Sequence, residues 1–262
     1  MAWVSVTRDA RNVAVVTIDN PRRLNTLNTA VMTELLAVAQ PLGADEELRA
    51  VVLRGAGERA FIGGADIDEM AALDPTSARA FITLVHRCCD VWRRLPVPVI
   101  ARIQGYVLGA GAEVAAACDI RVAATDAQFG MPEVRLGVPS VVEAALLPQL
   151  IGWGRTRQWL LTGDTITAAT ALAWGLVEEV VPATRLDAAV DRLLESILAS
   201  GPRAARLQKA LISAWEDLPL RDAVQRGIDS FAHAWEGDEP RQMMQRFLQD
   251  RRGRKKHGGQ NP

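Results

Sequence analysis

The chain opens on two short runs of alternating apolar and polar residues, 3–7 and 13–18, rich in β-branched side chains and separated by the polar stretch 9–12. That pattern predicts two strands joined by a turn, the second ended by Pro21. The period then changes. After Asn28 as N-cap, Met32, Leu35, Leu36 and Ala39 recur at helical spacing toward Pro41 and Gly43, predicting a helix with one buried face. Continuous apolar runs at 50–53, 98–103 and 120–123 are predicted as buried strands, separated by glycine-rich loops and helical stretches. Such β/α alternation predicts a parallel sheet with helices packed outside it, because parallel neighbours need crossover connections.

Beyond Pro182 the pattern is helical alone. Residues 186–248 read as successive amphipathic helices broken at Gly201-Pro202 and at Asp238-Glu239-Pro240. Three regions are expected: a core over 1–185, a helical subdomain over 186–250, and a basic flexible tail, RRGRKKHGGQNP, over 251–262.

Composition narrows the function classes. A chain of 262 residues with 49% hydrophobic content can bury a full core without disulfides. Its 30 basic residues nearly cancel its 31 acidic ones, so no global field favours nucleic acid or an anionic membrane. Cys88, Cys89 and Cys118 form neither a metal motif nor a disulfide framework and read as small buried hydrophobes in a reducing cytoplasm. The first residues lack the layout of a secretory signal, and no uncharged apolar run approaches the roughly 20 residues that span a bilayer. A soluble, cytoplasmic protein is expected.

Three stretches carry candidate chemistry. In the first, 61–70, a strand exit meets Gly63, Gly64 and Ala65 before a helical turn, so backbone N–H groups could hold a developing oxyanion; an ordinary tight turn is the alternative. In the second, 103–119, another glycine-rich loop enters an alanine-rich helix bearing Glu113, a buried carboxyl that must be hydrogen-bonded, neutralised or catalytic. Gly109 and Gly111 look like the start of a dinucleotide fingerprint, but Val114 stands where its third glycine should be. In the third, 127–137, Glu133 follows Pro132 in apolar surroundings and could titrate near neutrality, or could instead pair with Arg135 at the surface.

Taken in order, these stretches resemble the crotonase family, the enoyl-CoA hydratases and isomerases, and the similarity extends from the first strands to the last helices. F-x-x-G-A-D-I stands at 61–67, G-Y-x-L-G-x-G-x-E-x-x-x-x-C-D at 105–119 and F-G-x-P-E at 129–133, with L-T-G at 161–163 and A-x-x-x-G-L-V at 171–177. The resemblance implies an α/β fold, a spiral of ββα units followed by a C-terminal helical trimerisation region, assembled as a homotrimer or a dimer of trimers. It implies an enoyl-CoA hydratase with Glu113 and Glu133 as catalytic residues and the backbone N–H groups of Ala65 and Ala110 as oxyanion hole. Arg22, Arg23, Leu24 and Thr26 would meet the CoA nucleotide, Gly63, Asp66 and Ile67 would lie along the pantetheine, and Phe231 and Arg241 would reach the adenine site. Neither a cofactor nor a metal is expected, CoA being part of the substrate.

One departure stands out. Many hydratases carry P-G-A-G-G-T-Q-R-L where this chain has Pro139-Ser140-Val141-Val142-Glu143-Ala144-Ala145-Leu146-Leu147. Val141, Val142 and Glu143 are therefore candidate specificity residues. Ser140-x-x-Glu143 also reads as a capping box for a following helix, and capping is preferred over catalysis for Glu143. Retention of both glutamates favours hydratase over isomerase, with dehydratase and acyl-CoA hydrolase left open. A catalytically weak, RNA-associated scaffold is the reading from another class.

Overall fold

The structure, a computed structural model, describes residues 2–257, with side chains through Arg251. The expected hairpin is present: β1 (Val4–Arg8) runs antiparallel to β2 (Val13–Ile18). The helix predicted after Asn28 is α1 (Thr29–Ala44), and the Asn28 side chain accepts from the N–H of Val31 at 2.8 Å. It does not stop at Pro41 but carries that proline and Gly43 inside its last turns.

From there each turn of the chain lays one strand in a large sheet and one in a small sheet. β3 (Ala50–Gly55) is followed by β4 (Ala60–Ile62), then by the short α2 (Ile67–Met70) and the long α3 (Pro75–Arg94). Strands β5 (Val99–Ile103) and β6 (Tyr106–Leu108) lead into α4 (Ala110–Ala117), and β7 (Ile120–Ala124) and β8 (Gln128–Gly130) repeat the step. The large sheet has the order β1-β2-β3-β5-β7 and is parallel from β2 onward, as expected of a spiral. In the small sheet β4, β6 and β8 are parallel neighbours. Alternation does not reveal these three-residue strands, because three residues hold barely one period.

After two five-residue 3₁₀ helices, α5 (Leu147–Ile151) leads to α6 (Trp153–Thr162), and β9 (Thr165–Thr167) closes the small sheet antiparallel to β8. Helix α7 (Ala168–Trp174) and β10 (Glu179–Val181), parallel to β7, complete the large sheet. The core lies between sheets and helices. Phe81, Val85, Cys88, Cys89 and Trp92 of α3 and Val31, Met32 and Leu35 of α1 are buried in it. All three cysteines are free and buried, as expected.

Helix α8 (Leu186–Leu198) spans the boundary between two compact units, which falls after Glu195. The second unit holds α9 (Pro202–Asp217), α10 (Leu220–Ala234) and α11 (Glu239–His257). Glu239 accepts from the N–H groups of Arg203 and Ala204, so its carboxylate caps α9 and explains the helix start at Pro202. The tail expected to be flexible begins as helix: α11 runs on to His257, arginine and lysine being good helix formers. Residues 258–262 lie outside the described residues. None of the described helices is long and apolar enough to cross a membrane.

Candidate active site

The two glycine-rich loops leave neighbouring strands of the small sheet, since β4 and β6 pair in parallel. They touch. A Cβ on Gly64 would sit 3.1 Å from the Leu108 carbonyl oxygen, and one on Gly111 would sit 2.2 Å from that of Ile62. Only glycine lets the loops approach this closely. In the first loop, Leu27 N–H donates to the Gly64 carbonyl and Asp66 N–H to the Leu27 carbonyl, forming a parallel bridge that turns the Ala65 N–H to the opposite side. In the second, Ala110 is the first residue of α4, where N–H groups have no acceptor inside the helix. The loops expected to supply the two N–H donors thus lie against each other.

Glu113, one turn into α4, is buried. Burial pushes its carboxyl up to about 8, the negative charges of Glu133 and Glu143 add to the effect, and hydrogen bonds from the backbone of Ala144 and Val141 oppose it. Glu133 is held in a 3₁₀ turn, Pro132–Leu136, that follows β8. Its alternative reading, an ion pair with Arg135, does not occur: Arg135 bonds instead to the Thr162 carbonyl and to Asp164. The Glu133 carboxyl lies against the N-cap of α4, and Ser140 Oγ donates to its Oε2 at 2.8 Å.

The capping box over Ser140 and Glu143 is absent, and this corrects the expectation. No side chain caps the 3₁₀ helix Val142–Leu146; Ser140 is occupied by Glu133, and Glu143 is buried with Oε1 2.8 Å from His86 Nδ1 on α3. Local pattern offered Ser140 a partner three residues away, and the fold offered it a carboxylate instead. Val141 is 38% exposed, and Val142 has φ +42°, a conformation for which the glycine usual here is suited. His86 and Ser140 were both missed as site residues, since neither contact has a signal in local spacing.

Of the positions expected along CoA, Arg22 and Arg23 are exposed and Arg23 pairs with Asp68 and, at 3.4 Å, with Asp66. Leu24 takes a left-handed conformation beside Gly63, whose added Cβ would meet Leu24 at 2.8 Å. Thr26 Oγ1 is buried without a hydrogen-bond partner among the described residues. Asp66 is buried as the N-cap of α2, accepting from Glu69 N–H, whereas Ile67 is exposed. Asn25, unremarkable in the sequence, anchors this loop by donating to the carbonyls of Ala56 and Ala60. In the second unit, Phe231 packs edge-on against Trp235, and the Arg241 guanidinium lies 5.7 Å from the same ring. Among the described residues no cluster of His, Cys, Asp and Glu could hold a metal ion.

Known proteins resemble this chain in sequence and fold. The family model for enoyl-CoA hydratase/isomerase matches residues 8–256. The chain is 36% identical to a short-chain-enoyl-CoA hydratase of Clostridium acetobutylicum over 92% of each chain, and 33% identical to a crotonyl-CoA hydratase of Syntrophomonas wolfei over 92% of this chain and 93% of that one. The crystal structure of an enoyl-CoA hydratase from Bacillus anthracis superposes with a TM-score of 0.91 at 32% identity, covering 95% of this chain and 96% of the other. With a match over nearly its whole length, the chain belongs to the enoyl-CoA hydratase/isomerase family.

Proposed function

We propose that the protein hydrates 2-enoyl-CoA thioesters, adding water across the 2,3 double bond through a backbone oxyanion hole and two glutamates. The family acts on acyl-CoA thioesters, and relatives named as hydratases favour a lyase. The observation that carries the reading is the burial of the Glu113 carboxyl, which pushes it up to about 8, beside Glu133 at the head of α4. Hydration needs one proton on such a pair. One carboxylate takes a proton from water as its oxygen bonds to the β-carbon, and the other carboxyl gives a proton to the α-carbon. In the free protein the raised pKa favours the proton on Glu113, so the roles belong to the pair and not to either residue alone. The N–H groups of Ala65 and Ala110 stabilise the enolate-like charge on the thioester oxygen, each worth about 3 kcal/mol in comparable sites.

CoA would be held by Arg22, Arg23, Leu24, Thr26, Gly63, Asp66 and Ile67, with the orphaned Thr26 hydroxyl supporting a ligand in that loop. Phe231 and Arg241 would reach the adenine site. Leu220, Val224, Ile228 and Phe231 form an exposed apolar stripe on α10, and we read it as the surface that joins copies of the chain into a trimer or a dimer of trimers. Light scattering on the purified protein tests the assembly. For the reaction, loss of the conjugated-thioester absorbance is followed on a panel of short, medium and branched enoyl-CoA substrates. A wholly negative panel overturns hydration and moves the reading to isomerase or hydrolase.

A further inference from the structure

The segment from Ser140 to Ala144 touches two carboxyl groups and carries a third. Ser140 bonds to Glu133, the backbone of Val141 and Ala144 bonds to Glu113, and Glu143 reaches α3 to bond with His86 at 2.8 Å. The Glu143 side chain is only 5% exposed, and its Oε2 has no hydrogen-bond partner among the described residues. Its other neighbour on α3 is the Cys89 thiol, a weak donor. A buried carboxyl is costly unless its oxygens are satisfied, so the bond to His86 is what keeps this one in place. Between them Val142 is held at φ +42°, and such a residue persists only where its surroundings over-determine it.

We propose that His86 and Glu143 are a positioning pair, whose hydrogen bond ties residues 140–144 to α3 and so sets the donors that hold Glu113 and Glu133. The pair touches no reacting atom. Without His86 the Glu143 carboxyl must reach water, and its movement withdraws Ser140 from Glu133 and the Val141 and Ala144 backbone from Glu113. The effect on turnover rests on the hydratase reading; the effect on Glu113 does not.

The test compares His86→Ala with His86→Asn in the full chain, because an asparagine amide places a donor near the position of Nδ1. His86 is 47% exposed, so the alanine variant loses little packing and is expected to fold. Its kcat on crotonyl-CoA is expected to fall about tenfold or more with KM within roughly threefold, and His86→Asn is expected to recover most of the loss. In parallel, the carboxyl ¹³C resonance of Glu113, assigned with Glu113→Gln, is titrated without substrate. In His86→Ala its pKa is expected to drop toward the ordinary carboxyl range, since water reaches the site and Glu143 leaves, and these outweigh the lost backbone donors. An unmoved titration, or a drop that His86→Asn does not reverse, overturns the pair. Should the wild type hydrate no enoyl-CoA, the hydratase reading falls alone, and the titration still decides the role of His86.

Discussion

A methyl group on Gly109 would sit 2.3 Å from Glu133 Oε1, so the N-cap glycine of α4 and the glutamate after β8 occupy adjoining space. Gly109 also has φ +50°, which a larger residue rarely adopts. Gly109→Ala therefore forces either the Glu133 carboxyl or the head of α4 to move, disturbing the acid/base pair and the Ala110 donor together. Hydration is expected to fall about 100-fold or more, while far-UV circular dichroism remains that of the wild type. Near-normal turnover would show that the carboxyl is not required in this place.

Glu113→Gln and Glu133→Gln each remove one member of the pair with little change in volume. Each is expected to lower kcat on crotonyl-CoA by about 10²–10⁴-fold. The double variant should lose little more than the worse single one, because residues acting as a unit are not additive. Independent losses that multiply in the double variant would separate the two roles.

How much of this was legible beforehand depended on chain distance. Glu113 stood out because a carboxyl in an alanine-rich helix invites the question of what holds it. The glycine loops were readable for the same local reason, although burial alone did not say that 63–65 and 108–111 would touch. That contact comes from β4 and β6 pairing in parallel, and strands of three residues carry too little pattern to specify their partners. Glu133 acquired its role from family resemblance, and its competing partner Arg135 was only two residues away. Long-range contacts misled most at Glu143, whose bond to His86 spans 57 residues and displaces a cap that local spacing favoured.

Ser140 distinguishes these readings by experiment. Were it a cap, Ser140→Ala would cost about 1 kcal/mol of stability and leave the chemistry alone. Bonded to Glu133 at 2.8 Å, it is instead expected to cost about tenfold in kcat with a small change in Tm, and Ser140→Thr is expected to keep the hydroxyl and most of the activity. A large fall in Tm with unchanged kcat would restore the capping role.

The raised pKa of Glu113 makes both activity and stability depend on pH, in directions that can be worked out. Its carboxyl moves from 4.5 in the ordinary range to about 8, chiefly through burial. Between those values the folded chain holds a proton that the unfolded chain has released. Stability from this site therefore falls as pH rises through that window and levels above about 8. Glu113→Gln removes the burden, so the variant should gain on the wild type as pH rises from 5 to 9, by a few kcal/mol at most, in urea unfolding. Wild-type kcat/KM should decline above about pH 8 as the pair loses its shared proton. A stability difference flat across that range would mean that Glu113 is already ionised at neutral pH, and the proton delivered to the α-carbon would then have to come from Glu133.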